Sequence, residues 1–213
     1  MARQTVKPQK PAAEPPLGRK DWIEAAVVML AEDNVEALRV DTLAEKLGVT
    51  KGSFYWHFEG REDLLSAVVE TWRLRMTSET RALIVDTSGT PWERLERLIR
   101  IAVSHRQDVP GGPFEMTLRD WARRDAKVAS VVHEVDTERV KFLRQLYREA
   151  GLSDGDADDY AELHMAFVIG TRLTLSPSDR EEIRRRRRVG TALLLPRERA
   201  VGNPKRPFSG AQP

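Results

Sequence analysis

The sequence predicts an all-α fold, and three observations carry that expectation. Apolar residues recur three and four positions apart along most of the chain, the spacing of one helix face. No stretch alternates apolar and polar residues as a half-buried strand does. Clusters of Gly, Pro and small polar residues cut the chain into pieces of helical length, without an internal repeat.

Residues 1–18 hold four prolines, three basic residues and one glutamate. Such a segment buries too little apolar surface to offset the entropy of ordering, so a flexible tail is expected there. Regular structure is expected from Arg19, with Ile23, Ala26, Val27 and Leu30 on one face. A second, short helix over 41–47 would turn Leu43, Ala44 and Leu47 inward. Its start is expected at Asp41 or Thr42, because Thr42 has Glu45 three residues on, the spacing of a capping box. Gly48 suits a turn, and Thr50 is a candidate N-cap for a third helix reaching residue 56. A longer fourth helix should start near Arg61 and carry Leu64, Leu65, Val68, Val69, Trp72 and Met76.

The break DTSGTP at 86–91 precedes a stripe of Trp92, Leu95, Ile99, Ala102 and Val103. DVPGGP at 108–113 is the strongest punctuation in the chain, since neither Pro nor Gly supports a helix interior. A short helix is expected after it, around 117–123. A long one near 127–150 would be lined by Val128, Val131, Val132, Val135, Leu143, Leu146 and Tyr147, with Gly151 at its C′ position. Acids open a further helix over 156–175, where they suit the positive helix N-terminus. A last helix over 179–195 should end at Pro196, leaving 196–213 as a second flexible tail.

Composition narrows the function. The chain has 213 residues, 40% of them apolar and 32% charged, enough for a core beneath a polar surface. With no cysteine, disulfides, thiolate metal sites and cysteine nucleophiles are excluded. No apolar run approaches a membrane span and no apolar signal core opens the chain, so a cytosolic protein without a membrane partner is expected. The net charge is only +2, so its distribution matters more than its total.

The stretch LAEKLGVTKGSFYWHF at 43–58 is the most informative. A short helix, a glycine-bearing turn and a second short helix are what a helix-turn-helix requires, the first bracing the second against a DNA major groove. Thr50, Lys51, Gly52 and Ser53 would face outward at the second helix N-terminus, where N–H groups and short polar side chains meet phosphates or base edges. Gly52 would let the backbone come close to DNA. Phe54 and Phe58 lie four apart and should share an inward face. Tyr55, Trp56 and His57 are then left to fan outward, each with a donor for phosphate oxygens.

These residues resemble the N-terminal domain of the tetracycline-repressor (TetR) family of one-component bacterial regulators. The resemblance rests on Leu43-Ala44, Leu47-Gly48-Val49-Thr50, Gly52, Tyr55, His57-Phe58, Leu64 and Arg61, where the family usually has Lys. It spans 19–65, and the rest of the chain is similar only in layout. It implies an N-terminal helix-turn-helix domain at 19–65, joined by a long helix to a ligand-binding and dimerisation domain at 66–195. It further implies a homodimer on a palindromic double-stranded DNA operator, released by an unknown small-molecule effector. Thr50, Lys51, Gly52 and Ser53 would sit at the groove, and Tyr55, Trp56, His57 and Arg61 at phosphates. The last two helices would pair with their copies in a four-helix interface.

Other features weigh on that reading. Residues 19–65 contain six bases and ten acids, a net of −4, which is awkward for a DNA-binding unit. The run RRRRR at 184–188 follows Glu181 and Glu182 and reads as a solvated helix face braced by intrahelical pairs. His105, His133 and His164 show no metal-ligand spacing, and neither a catalytic set nor a phosphate loop is present. No cofactor or enzymatic activity is expected. Bulky apolar residues of the second domain are candidates for an effector pocket, Met76, Phe114, Trp121 and Phe167 foremost. The competing class is a helical small-molecule carrier or sensor with a vestigial helix-turn-helix, which specific, salt-sensitive DNA binding would exclude. A helical enzyme using the pocket is the weakest reading.

Overall fold

The computed structural model describes residues 17–86, 88–103, 111–174 and 179–196. The two expected tails lie outside these residues, apart from 17, 18 and 196. The described residues form helices joined by turns, without a strand. None of these helices is long and apolar enough to cross a membrane.

The first helix, α1 (Arg19–Glu32), starts where Asp21 accepts the Gly18 N–H at 2.6 Å. It buries Trp22, Ala26, Met29 and Leu30, while Ile23 and Val27 are only partly covered. A single 3-10 turn, Val35–Ala37, follows, opened by Asn34, whose side chain accepts the Ala37 N–H at 2.9 Å. The periodicity did not reveal this turn, because three residues are too few to show a period. Helix α2 (Val40–Lys46) begins earlier than Asp41 or Thr42, with Arg39 at the cap and no side chain closing it. The expected Thr42–Glu45 capping box does not form there.

Gly48 makes the turn at φ 66°, a left-handed conformation that costs glycine little. Helix α3 is one turn, Lys51–Phe54, with looser turns to residue 57, shorter than the expected reach to 56. Helix α4 then runs without interruption over Arg61–Val85.

Helix α5 (Pro91–Val103) places Pro91 in its first turn, where no backbone N–H is missed. Thr90 and Glu93 cap it reciprocally: Glu93 accepts the Thr90 N–H at 2.7 Å, and Thr90 Oγ1 accepts the Glu93 N–H at 3.3 Å. Helix α6 (Gly111–Ala122) starts six residues before the expected position of 117. Gly111, Gly112 and Pro113 form its first turn rather than a break, because N–H groups there have no intrahelical partner to lose.

Helix α7 (Ala126–Glu149) is capped by Asp125, which accepts the Lys127 and Val128 N–H groups at 2.9 and 3.2 Å. Gly151 follows at φ 96°. Helices α8 (Asp154–Thr174) and α9 (Arg180–Leu194) complete the chain, α9 with Asp179 as its N-cap.

Two apolar cores result. The first gathers α1 to α4 around Trp22, Phe54, Leu64 and Val68, and continues through Phe114 and Leu118 of α6 into Val128, Val132 and Val135 of α7. The second joins α5, the later half of α7, α8 and the end of α9 around Ile99, Leu146, Tyr147 and Ala161. The first core thus extends past residue 65 and includes side chains of α6 and α7.

Candidate nucleic-acid interface and cavity

The aromatic run divides as helical geometry requires. Phe54 and Phe58 are buried and stack at 5.2 Å, and Phe54 meets the edge of Trp22 at 5.3 Å. Arg19 lies over the Phe58 ring at 4.1 Å and donates to the His57 carbonyl. Above this anchor Tyr55 is 56% exposed and Trp56 87% exposed, while His57 is half-buried. An exposed tryptophan forgoes one of the larger burial gains open to a side chain, which marks the patch as made for contact.

Thr50, Lys51 and Gly52 are exposed at the start of α3, and Ser53 is partly so. Ser53 Oγ donates to the Thr50 carbonyl at 2.7 Å. A Cβ on Gly52 would meet its nearest neighbour, Thr50 Oγ1, at 3.7 Å, an ordinary contact, and the backbone there is not left-handed. Nothing inside the fold requires glycine at this position. Lys51 pairs with Asp41 at 2.9 Å, and the hydrogen bond and charge of Asp41 raise its pKa.

Arg61 is held differently from its motif neighbours. Its guanidinium donates to the carbonyls of Leu38, at 2.7 Å, and Val35, and pairs with Glu62 at 2.8 Å. It fastens the 35–38 turn to the start of α4 instead of standing free for a phosphate. Arg39 is the residue at the cap of α2. It is exposed and close enough to Lys51 to oppose its charge, so the basic face is broader than the motif suggested.

The acidic balance of the unit also finds its explanation. Asp21 takes the Gly18 N–H, and Glu32 pairs with Lys46 at 3.0 Å. Glu36 pairs with Arg124 of α6 at 3.2 Å. Asp63 takes Arg19 at 3.2 Å and the Glu59 N–H at 3.1 Å, and its pKa is lowered chiefly by Arg19. None of these four pairs involves α3, which Asp41 reaches through Lys51.

A second feature lies in the C-terminal half. A cavity of about 130 Å³ opens between α4, α5, α7 and α8. Its wall includes Met76, Leu83, Leu98, Phe142 and Met165, with Glu79, Arg139, His164 and Arg172 as its polar groups. Met76 was expected there. Phe114 is instead buried in the first core, Trp121 packs against that core, and Phe167 packs against the second. Bulk and a neighbouring Pro-Gly break do not reveal which way a side chain points. None of the four polar groups was singled out as cavity-lining from the sequence.

Behind the cavity Glu115 of α6 is fully enclosed, with Arg119, Arg139 and Arg172 around its carboxylate. Burial alone would raise its pKa, but Arg139, Arg172 and Arg119 outweigh that and hold it at about 2. Arg119 also makes a two-pronged bond to Asp136, both arms 2.7 Å. One carboxylate thus ties α6, α7 and α8 together.

His164 is buried, with Nδ1 3.0 Å from the Tyr147 hydroxyl, and burial pushes its pKa down to about 4. His133 is exposed, and His105 lies outside the described residues. Among the described residues no three His, Asp or Glu cluster as metal ligands would. In the arginine run, Arg185 and Arg186 both bond Glu182 at 2.7 Å, and the Arg187 guanidinium lies 3.8 Å from Glu96.

Comparison with known proteins converges on one family. Residues 23–68 match the family of bacterial regulatory proteins named for tetR. The chain is 33% identical over 181 residues to the class A tetracycline repressor protein of transposon 1721 from Escherichia coli, covering 84% of this chain and 76% of that one. It is 39% identical over 61 residues, 29% of each chain, to the HTH-type transcriptional regulator SrpR of Pseudomonas putida. Among solved structures, AibR in complex with isovaleryl coenzyme A and operator DNA superposes with a TM-score of 0.67 at 17% identity, over 84% of this chain and 98% of that one.

Proposed function

This chain belongs to the TetR family of bacterial regulatory proteins and is a DNA-binding transcriptional regulator; from that premise we propose how it binds DNA and how a ligand releases it. It acts as a repressor. Two copies place their α3 segments in successive major grooves of a palindromic operator, with half-sites about one helical turn or a multiple apart. The observation that carries this reading is Tyr55 and Trp56 standing exposed on a buried Phe54–Phe58 base. Thr50, Lys51, Gly52 and Ser53 approach base edges, and Tyr55, Trp56 and His57 approach phosphates. Arg61 acts there by fixing the 35–38 turn rather than by touching DNA.

The dimer forms through α8 and α9. Leu163 and Leu173 on α8 and Val189 and Leu193 on α9 are exposed apolar residues, and a second copy would cover them. The effector site is the cavity. A ligand there favours a dimer whose α3 segments are mis-spaced, and DNA weakens that ligand by the same factor.

Selection of bound sequences from random duplex DNA tests this, followed by titration of the winner at several salt concentrations. A palindromic winner and a steep fall of log affinity with log salt are expected. Weak, sequence-blind binding alone would favour a carrier with a vestigial helix-turn-helix.

A further inference from the structure

The polar groups of the cavity constrain the chemistry of its occupant. The Tyr147 hydroxyl has one proton, and the Leu194 carbonyl at 3.1 Å can only accept, so for both contacts of the hydroxyl to be hydrogen bonds the proton goes there. Its oxygen therefore accepts from His164 Nδ1–H. A neutral imidazole protonated at Nδ1 presents a bare lone pair at Nε2. That atom is buried, on a residue of the cavity wall, and has no hydrogen-bond partner among the described residues. A buried acceptor left unpaired costs on the order of 1–3 kcal/mol, so this site favours a ligand that brings a donor.

The guanidinium groups pose the opposite demand. Arg139 and Arg172 both line the cavity and both bond the carboxylate of Glu115, and Arg139 also lies 3.6 Å from Asp136. Arg119 shares Glu115 as well, but Asp136 already holds it by two bonds. Three guanidiniums thus share two bonded carboxylates in a largely buried place, with the charge of Glu79 acting on Arg172 from the cavity wall. Arg139 Nη2 has Met76 Sδ at 2.8 Å, a weak acceptor, and only a long bond to Glu115 Oε2 at 3.5 Å. Glu79, the acid on the cavity wall, is bonded to Arg75 at 2.9 Å.

We propose that the cavity binds a small organic carboxylate. Its carboxylate pairs with Arg172 and Arg139, its apolar body lies against Met76, Leu98 and Phe142, and a hydroxyl or N–H donates to His164 Nε2. A dry cavity of ~150 Å³ holds benzene, so the body is one ring or a short branched chain. This rests on the cavity being the effector site and adds the class of effector. It also supplies a route to the DNA-binding unit. The incoming carboxylate competes with Glu115 for its arginines, and Glu115 is on α6 beside Phe114, a residue of the first core.

The test titrates the unmodified chain by calorimetry with mandelate, 3-phenyllactate, 4-hydroxyphenylacetate and 2-hydroxy-4-methylpentanoate, each beside its uncharged amide. At least one acid is expected to bind, with its amide about tenfold or more weaker, because charge-assisted two-pronged bonds are lost. Arg172→Gln should weaken that acid by a similar factor. Amides that bind as tightly as acids would overturn the proposal, as would a panel in which no acid binds. The acid–amide comparison needs no variant, so misfolding of Arg172→Gln would not shield the idea. The two readings fail separately. An amide that binds and releases operator DNA removes the carboxylate class and keeps the effector site. An acid that binds without changing operator affinity keeps the class and removes the effector role.

Discussion

Two sites in this chain handle polar groups in opposite ways. Around α3 the proposed contacts come from one short stretch, residues 50–57, with Arg39 beside it, and most of them face outward. Around Glu115 the groups come from α6, α7 and α8, and they are enclosed. An outward site can be changed without the fold noticing, because nothing internal leans on it. An enclosed one cannot, since each charge is the partner of another. The first arrangement suits reading an external surface, and the second suits coupling a cavity to distant helices.

That comparison can be broken by experiment, most sharply with the phenylalanine that anchors the outward site. Phe54→Ala removes a fully buried ring and should cost about 3–5 kcal/mol in urea unfolding. Its neighbour Tyr55→Ala should stay within about 0.5 kcal/mol and instead weaken operator binding across sequences. Equal loss of stability in both would mean that Tyr55 belongs to the core.

In the enclosed site Glu115→Ala strands buried arginines and should also cost about 3–5 kcal/mol. A loss under about 1 kcal/mol would show the cluster to be solvated.

His164 adds a pH signature to the same region. Its folded pKa, about 4, lies below the ordinary 6.5, so the unfolded chain takes up the proton first. Stability should therefore fall as pH drops from about 6.5 towards 4, by up to roughly 3 kcal/mol. His164→Gln should flatten that slope. Glu115 has the depressed pKa of a paired acid, so its contribution persists above about 4.5 and is lost as pH falls towards 2. Comparison between pH 6.5 and 4.5 separates the two. An unchanged slope in the variant would place the titration elsewhere.

The smallest effect is expected at Gly52. Alanine there meets no clash and should raise stability by about 0.5–1 kcal/mol, while weakening operator binding because the backbone can no longer approach as closely. Unimpaired binding would show that no close approach occurs.

The helices, the burial of Phe54 and Phe58, the left-handed turn at Gly48 and the exposure of Tyr55 and Trp56 were all legible in the sequence. Each depends on neighbours within a turn or two, where helical geometry ties position to direction. Local chemistry also misled in places. Gly-Gly-Pro at 111–113 read as a break and proved to be a first turn, because propensity penalises those residues only in a helix interior. Arg61 sits in a motif position associated with phosphate, yet the carbonyls that hold it come from residues 35 and 38.

The sequence alone determined the fold class and the outward face of α3, since both follow from periodicities of three to four residues. Only the tertiary structure decided that Phe114, Trp121 and Phe167 pack in or against the two cores and that Arg139, His164 and Arg172 line the cavity. It also decided that Glu115 is enclosed by arginines up to 57 residues away in the chain. The physical reason is that a helix face states how much of it will be buried but not against what. That choice is made when helices distant in sequence pack together, and charge balance inside the packed chain has no signature along the chain itself.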